Sequence, residues 1–176
     1  MSEVIEIVAY NLDWPRMFEE ERASLLPLIG QYVEDIQHTG STSVPGLAAK
    51  PVIDMLIAVR GLALVEKCVE PIEGLGYGYL GENGLPGRYF FRKPGGRGWH
   101  RTHHIHMVLK GSSEWENQTR FRDYLRAHPE TRQQYQDLKQ ELAARFGNDR
   151  QGYTDAKQDF VIAILKQTGY IFQPAE

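Results

Sequence analysis

The chain has 176 residues, of which 41% are hydrophobic and 24% are charged, and its formal net charge is −3. This length suits one domain with a complete core, residues 1–176, and the composition excludes a disordered chain. The negative net charge argues against broad, nonspecific binding of nucleic acid, which depends on an excess of lysine and arginine.

The chain shows no pattern typical of a membrane-spanning helix, a signal peptide or an internal disulfide. No apolar run approaches the roughly 20 residues that a membrane-spanning helix needs, so we expect no membrane partner. The first residues, Met1 to Glu6, are acidic and alternate in polarity, unlike a signal peptide. Cys68 is the single cysteine, which excludes an internal disulfide and a cysteine-based zinc site. We therefore expect a cytoplasmic protein.

The N-terminal quarter predicts a strand, a helix and a second strand. Alternation of apolar and polar residues over Glu3 to Tyr10 indicates the first strand. Asp13 is a candidate N-cap with Pro15 in the first helical turn, and Gly30 marks the end of this helix. Residues 32–37 then indicate a strand. The apolar stripe of the helix comprises Met17, Phe18, Leu25, Leu28 and Ile29.

A glycine-serine turn follows the second predicted strand and leads into a predicted short helix over residues 44–49. Unpaired backbone N–H groups at such a turn can bind phosphate, helped by the positive end of the helix dipole. Candidate phosphate-binding residues are Gly40, Ser41, Thr42 and Ser43. The turn is not a P-loop, because no second glycine followed by Lys-Ser or Lys-Thr is present. The structural alternative is that Ser43 only caps the helix.

Asp54 interrupts a run that is otherwise nearly all aliphatic, residues 51–59. Such a run is typical of a central strand buried on both faces. A carboxylate in this position is costly unless it is paired or bound to a metal, and it could hold the metal that a polyphosphate brings. The alternative is an ion pair with Lys50 or an arginine.

The middle of the chain predicts a helix over residues 62–73 and then a hairpin. Its strands are residues 87–93 and 103–110, joined by a turn at residues 94–96. Alternation places His104 and His106 on one strand face. With Asp54 they would form a His/His/carboxylate metal site. The alternative places one imidazole in a core hydrogen bond and the other in water.

Positive charge is concentrated on this hairpin, since residues 83–113 contain no Asp or Glu. Arg88 and Arg92 share a face and are candidate phosphate clamps, because guanidinium groups bind phosphate oxygens in pairs. The alternative is a hairpin whose charges keep an edge strand soluble. The basic and histidine residues of this stretch are Arg88, Arg92, Lys93, Arg97, His100, Arg101, His103, His104, His106 and Lys110.

Three helices are predicted in the C-terminal third, over residues 114–127, 129–146 and 153–168. Tyr153 and Lys157 stand one helical turn apart and could reach a base or a phosphate, or could simply form a solvated helix face. No internal repeat or linker interrupts the chain. The sequence therefore predicts one mixed α/β (α+β) domain, a sheet with flanking helices and a helical C-terminal third.

Residues 38–54 resemble the signature of the GrpB family. The likeness continues through His104 and His106, residues 121–129, and Tyr153, Lys157 and Phe160, and so covers nearly the whole chain. The resemblance implies a fold of the nucleotidyltransferase superfamily, a mixed sheet with flanking helices in which the glycine-serine turn holds a triphosphate. The domain is also similar to one appended to some dephospho-CoA kinases.

The chain departs from the pattern that active nucleotidyltransferases carry. Those proteins have two acids separated by one residue on the strand after the turn, and a third acid on a later strand. Here Val52 and Leu56 flank Asp54 at same-face spacing, and His104 or His106 stands where the third acid is expected. The resemblance thus implies either a metal site rebuilt with histidine, for Mn²⁺ or Zn²⁺ rather than Mg²⁺, or nucleotide binding without transfer.

Three functions are compatible with these residues. The leading hypothesis is binding of a nucleoside triphosphate with a divalent metal, Mg²⁺, Mn²⁺ or Zn²⁺, and transfer of its nucleotidyl group. The second is a catalytically silent module that binds a nucleotide or a coenzyme A precursor, and the third is a metal-dependent phosphoesterase. The candidate catalytic residues are Asp54 and His106. The candidate metal ligands are Asp54, His104 and His106, with His38 as a further candidate. Lys157 is a candidate phosphate ligand, in addition to the residues of the turn, Arg88 and Arg92.

Overall fold

The computed structural model describes residues 5–95 and 101–169, apart from the side chain of Arg150. Its helices are α1 (Trp14–Ile29), α2 (Val65–Glu73), α3 (Ser113–Ala127), α4 (Pro129–Phe146) and α5 (Arg150–Gln167). Its strands are β1 (Val33–Thr39), β2 (Ile53–Val59), β3 (Gly78–Tyr79), β4 (Tyr89–Pro94) and β5 (Arg101–Leu109). Short 3-10 turns occupy Gly30–Tyr32, Ser41–Ser43 and Leu62–Leu64.

The five strands form one mixed sheet in the order β1-β2-β5-β4-β3. The two central strands, β2 and β5, run parallel, and the other neighbouring pairs are antiparallel. A parallel pair needs a long crossover connection, and α2, β3 and β4 supply it here. The register of the central pair places Asp54 opposite His104.

Helices cover both faces of the sheet, so that β2 is buried on both sides. On one face Met55 packs in a cluster with Leu25 of α1 and Ile72 of α2. On the other face Leu56 packs with Trp115 of α3, and α4 and α5 pack against α3. The predicted mixed sheet flanked by helices, with a helical C-terminal third, is confirmed. The aliphatic run around Asp54 is the central strand that its composition indicated.

Two predictions for the first fifty residues are wrong. From residue 5 onward the first predicted strand is reduced to one bridge between Val8 and Ala49, and residues 3 and 4 lie outside the described part of the chain. The helix predicted over residues 44–49 does not form. Gly46 has φ +80° and ends the local turn, and the segment then runs without regular structure to its bridge at Ala49.

The remaining elements agree with the sequence to within a few residues. The second strand of the hairpin begins at Arg101, and the first extends to Pro94. Gly96, Arg97 and His100, part of the predicted turn and basic stretch, lie outside the described residues. Within the described ranges, no helix has both the length and the apolar character required to span a bilayer.

Candidate functional site

A cavity of about 660 Å³ opens on the α3 side of the sheet, at the start of β2. The 3-10 turn after β1 contributes Ser41 to its wall, and α5 contributes Lys157. Its floor holds Asp54 of β2 and both His104 and His106 of β5. The sequence already predicted Asp54, His104 and His106 as one metal site, and the fold adds Ser41 and Lys157 to the same cavity.

The floor of the cavity is built by the register of the two parallel strands. Asp54 lies opposite His104, and Leu56 lies opposite His106. The Nδ1 atom of His104 is 3.1 Å from Oδ1 of Asp54, and Nε2 of His106 is 3.6 Å from the same oxygen. Phe90 of β4 packs 5.1 Å from both imidazole rings, measured between ring centroids. The carboxylate and both imidazoles therefore form one compact group, which we call the Asp-His-His cluster.

Burial and neighbouring charge act in opposite directions on Asp54. Burial alone would raise the pKa of its carboxyl group, but hydrogen bonds and charge interactions with His104 and His106 outweigh that effect and lower the pKa below its usual range. Asp54 is therefore an anion at neutral pH. Its side chain keeps 26% of its surface exposed toward the cavity.

The donor atoms of the Asp-His-His cluster suit a divalent metal. One oxygen and two ring nitrogens lie within 4.8 Å of one another. Two imidazoles and one carboxylate fit Mn²⁺ or Zn²⁺ better than Mg²⁺, because magnesium prefers an all-oxygen shell. The other ring nitrogens, Nε2 of His104 and Nδ1 of His106, are buried and have no hydrogen-bond partner within the described part of the chain.

Gly40 brings the turn directly against Asp54. Its φ of +68° lies in the left-handed region that favours glycine. A Cβ atom at this position would stand 2.9 Å from Cγ of Asp54, closer than real Cβ contacts come. Both the backbone angle and the lack of space require glycine here, so the turn and the acid form one unit.

The hydroxyl groups of the turn differ in their roles. Thr42 donates to the carbonyl of Val52 (3.1 Å), and Ser43 donates to the carbonyl of Gly40 (2.6 Å). Both residues are buried, and Ser43 does not line the cavity. Their hydroxyls hold the shape of the turn. Ser43 has no helix to cap, contrary to the structural alternative, and Ser41 is the serine that faces the cavity.

His38 supports the turn from behind and is not a member of the Asp-His-His cluster. Its ring stacks on Phe18, with centroids 4.8 Å apart. Its Nε2 atom lies 3.0 Å from the Thr42 hydroxyl. Burial lowers the pKa of His38 to about 4, so that the ring is neutral at physiological pH. His38, a candidate metal ligand from the sequence, therefore contacts the turn through Thr42 and is not among the grouped metal-ligand atoms.

Helix α3 fixes the backbone on either side of the turn. Arg122 donates from Nη1 to the carbonyl of His38 (3.0 Å). Arg126 donates from Nε and Nη2 to the carbonyl of Ser43, at 3.0 and 2.8 Å. The C-terminal third of the chain therefore holds the turn in place.

Basic side chains surround the cavity. Five of them line it, whereas Asp54 is the one carboxylate among the described lining residues. Arg88 also packs 5.1 Å above the ring of Phe90 and has a buried Nε atom with no partner in the described residues. The five lining cations are Lys50, Arg88, Arg101, Lys139 and Lys157. Such a cavity favours an anionic ligand.

Arg92 lies opposite His104 in the sheet and therefore shares the strand face of the histidines. Its side chain is nevertheless exposed and is not part of the cavity wall. The structure thus brings Arg88 to the cavity and leaves Arg92 outside it. The solvated-helix alternative fails for Tyr153, which is 1% exposed and lines the cavity beside Lys157.

Sequence reasoning missed Lys139 and Tyr135 of α4, both of which line the cavity. Tyr135, Lys139 and Leu142 are spaced four and three residues apart, so they share one face of the helix. All three are buried. A lysine on an otherwise apolar helix face was the available signal.

Comparison with known proteins identifies relatives over most of the chain. Residues 4–167 match a family described as GrpB protein. The UPF0157 protein YqkA of Bacillus subtilis (strain 168) is 42% identical over 157 residues, which cover 89% of this chain and 45% of YqkA. The chain thus spans less than half the length of that relative.

A solved structure and a kinase sequence extend these similarities. The crystal structure of conserved protein GrpB from Enterococcus faecalis matches with a TM-score of 0.84 and 36% identity, covering 92% of this chain and 96% of that one. A dephospho-CoA kinase of Mycolicibacterium paratuberculosis (strain ATCC BAA-968 / K-10) is 26% identical over 180 residues, which cover 88% of this chain and 43% of the kinase. The expected similarity to a dephospho-CoA kinase is therefore found.

Proposed function

This chain belongs to the GrpB family, and we propose that its cavity binds a nucleoside triphosphate, or another small phosphorylated ligand, together with a divalent metal. The observation that carries the proposal is the position of the Asp-His-His cluster beneath the Gly40–Ser41 turn, in a cavity lined by five cations. A metal and a phosphate would thus be bound side by side, as metal-assisted phosphate chemistry requires.

The charges of the cavity support a phosphorylated ligand over a neutral one. Asp54 is already engaged by two histidines, and the basic side chains outnumber it. Arg88 lines the cavity, and its Nη2 atom donates to the carbonyls of Glu82 and Asn83 at 3.0 and 3.1 Å. Its remaining N–H groups could donate to phosphate oxygens. Ser41 adds a hydroxyl group to the cavity lining. Localisation of this charge in a cavity raises the local concentration of an anionic ligand.

Asp54, His104 and His106 would hold the metal. When bound, a divalent ion polarises phosphoryl oxygens and neutralises the charge that develops on them. The chain's own residues bind and orient the phosphates: Ser41 as a hydrogen-bond donor, and Arg88 as a charged clamp. Gly40 lets the ligand's phosphates approach the backbone and the cluster without a side chain between them.

Silent binding is the second candidate function, and Leu56 is the observation that favours it. Leu56 occupies the same-face position two residues after Asp54 and is fully buried, so that β2 offers one acid where transfer enzymes of the superfamily carry two. In nucleotidyl transfer, the oxygen of an acceptor hydroxyl bonds to the α-phosphorus and gives up its proton to water. The bond between the α-phosphorus and the oxygen that bridges it to the β-phosphorus breaks, and pyrophosphate leaves. The two candidates differ in whether pyrophosphate is released.

Calorimetric titration tests the proposed binding. ATP, GTP, CTP and UTP are titrated in turn with Mg²⁺, Mn²⁺ or Zn²⁺ present, into the wild-type chain and into Asp54→Asn. Exposed Asp137 of α4 supplies the matched control, Asp137→Asn. We expect at least one nucleotide and metal pair to bind wild type and the control, and to bind Asp54→Asn at least tenfold more weakly. Equal affinity in all three proteins would overturn the proposal.

Pyrophosphate release separates the two candidates. The pair that binds is incubated with the protein and with hydroxyl-bearing acceptors, and free pyrophosphate is measured over time. Release that disappears in Asp54→Asn supports transfer. Binding without release in the wild-type chain supports the silent module.

A further inference from the structure

Three lysines gather at the end of the cavity formed by α4, α5 and the segment before β2. Lys157 places its Nζ atom 4.2 Å from the ring centroid of Tyr153, and Lys50 places its own 5.1 Å from the same centroid. Lys139 lies beside them, with Nζ 5.0 Å from the ring centroid of Tyr135. All three line the cavity. We call Lys50, Lys139 and Lys157 the lysine cluster.

Lys139 and Lys157 are buried beside other positive charges, which disfavours their charged forms. Burial, followed by the charges of Lys157 and Lys50, lowers the pKa of Lys139 to about 7. Burial and the charge of Lys50 lower the pKa of Lys157 to about 8, against the opposing influence of Asp54. Like charges held together in a partly dry cavity repel one another, and an anion between them removes that repulsion.

The helices hold the cluster in place. Lys139 is 2% exposed and donates to the carbonyl of Ala48. Gln136, one turn earlier on α4, accepts from the backbone N–H of the same residue at 2.8 Å. The position of Lys139 is therefore fixed by the fold before any ligand arrives. Preorganised charge of this kind loses little entropy when it binds a ligand.

The two charged parts of the cavity are built from different elements. The Asp-His-His cluster stands on β2 and β5, whereas Lys139 and Lys157 stand on α4 and α5. Among the described residues that line the cavity, Asp54 is the one carboxylate. Lys139 and Lys157 therefore approach the cavity from the helices, whereas the candidate metal ligands approach it from the sheet. A chain of phosphates could reach both parts.

We propose that the lysine cluster binds the distal phosphates of the ligand, so that the cavity selects compounds with two or more linked phosphates over phosphomonoesters. This inference rests on the proposed function, because it assigns the other end of the same ligand. The tyrosine rings beneath the ammonium groups strengthen the site, since they stabilise the cations while excluding water from one side.

Inorganic phosphates in the absence of metal test the lysine cluster directly. Orthophosphate, pyrophosphate and tripolyphosphate are titrated calorimetrically into the wild-type chain with EDTA present. We expect tripolyphosphate to bind at least tenfold more tightly than orthophosphate. We expect Lys157→Gln and Lys139→Gln each to reduce that preference at least fivefold. Lys67→Gln, on an exposed position of α2, serves as the control and leaves the preference unchanged.

Each outcome decides the inference. Equal binding of orthophosphate and tripolyphosphate by the wild-type chain overturns it, as does an unchanged preference in Lys157→Gln. Should Lys139→Gln fail to fold, as judged by circular dichroism, Lys157→Gln and Lys50→Gln keep the test complete. Asp54→Asn separates the two proposals: it should lose the metal-dependent part of nucleotide binding and keep metal-free binding of tripolyphosphate. Loss of the lysine effect alone leaves the proposed function standing.

Discussion

Gly40 and Asp54 are in direct contact across the start of the cavity. A Cβ atom on Gly40 would lie 2.9 Å from Cγ of Asp54, and the φ angle of Gly40 is +68°. The turn after β1 therefore closes on the carboxylate of β2 without a side chain between them. This contact brings a glycine-serine turn and an acid fourteen residues later into one cavity.

Gly40→Ala should destabilise the chain by more than the backbone strain that a positive φ imposes on alanine. The methyl group must push the carboxylate of Asp54 away from His104 and His106, in addition to the cost of a positive φ. We expect a loss of about 2–4 kcal/mol in the free energy of unfolding, together with loss of metal binding. Chemical denaturation and calorimetry measure the two effects.

Gly76→Ala is the matched control for Gly40→Ala. Gly76 has φ +89°, and nothing lies within 4 Å of a Cβ atom built there. This variant should cost only the backbone strain, about 1 kcal/mol, and keep its metal affinity. If both variants lose equal stability and both bind metal, the contact between Gly40 and Asp54 contributes neither to stability nor to metal binding.

The imidazoles of His104 and His106 should determine metal affinity. His104→Gln and His106→Gln each remove one of three donors, and we expect at least a tenfold loss in affinity for Mn²⁺ or Zn²⁺. Exposed His128 supplies the control, His128→Gln. Calorimetric titration of the metal chloride measures all four proteins. Retention of full affinity in His104→Gln and His106→Gln would place the metal elsewhere.

Lys139 should make stability depend on pH. Its pKa is about 7 in the folded chain and about 10.5 when unfolded. Between these values the unfolded state binds more protons, so the free energy of unfolding rises as pH increases from 7 toward 10.5. The contribution of Lys139 to this slope approaches about 1.4 kcal/mol per pH unit at most.

Lys139→Met should remove that contribution. Urea denaturation at pH 7, 8 and 9 gives the slope for the wild-type chain and for the variant, and their difference isolates Lys139 from Lys157, which contributes in the same direction above pH 8. Identical slopes in the two proteins would show that Lys139 keeps an ordinary pKa.

Cys68 should resist modification while the chain is folded. The side chain is fully buried in the core between α2 and the sheet, and burial raises the pKa of its thiol to about 11. The thiolate is the reactive form, so we expect little reaction of the folded chain with a chromogenic disulfide at pH 8. We expect complete reaction in about 6 M guanidinium, which unfolds the chain. Rapid reaction of the native protein would contradict the described burial.

Much of the site could be predicted from the sequence because its signals are local. Asp54 was recognisable as a charge within an aliphatic strand, and alternation placed His104 and His106 on one face. The contact between Asp54 and the histidines depends on the pairing of β2 with β5, which places Asp54 opposite His104. Residue spacing within each strand does not determine which strands become neighbours.

Other features depended on tertiary contacts. The sequence predicts a helix over residues 44–49, but side chains of α4 form hydrogen bonds with both the N–H and the carbonyl of Ala48, so these groups are not available for a helix. Lys139 was missed because a lysine normally faces water, whereas this one is buried among the helices. Arg92 lies on the strand face of the histidines, yet its side chain is exposed and is not part of the cavity wall.

A crystal structure with Mn²⁺ and a nonhydrolysable nucleoside triphosphate tests the central claim most directly. We predict an anomalous difference peak in contact with Asp54, His104 and His106, phosphates beside Ser41 and Arg88, and the distal phosphate at Lys139 and Lys157. Mn²⁺ and triphosphate bound elsewhere, with the Asp-His-His cluster free of metal, would contradict the account.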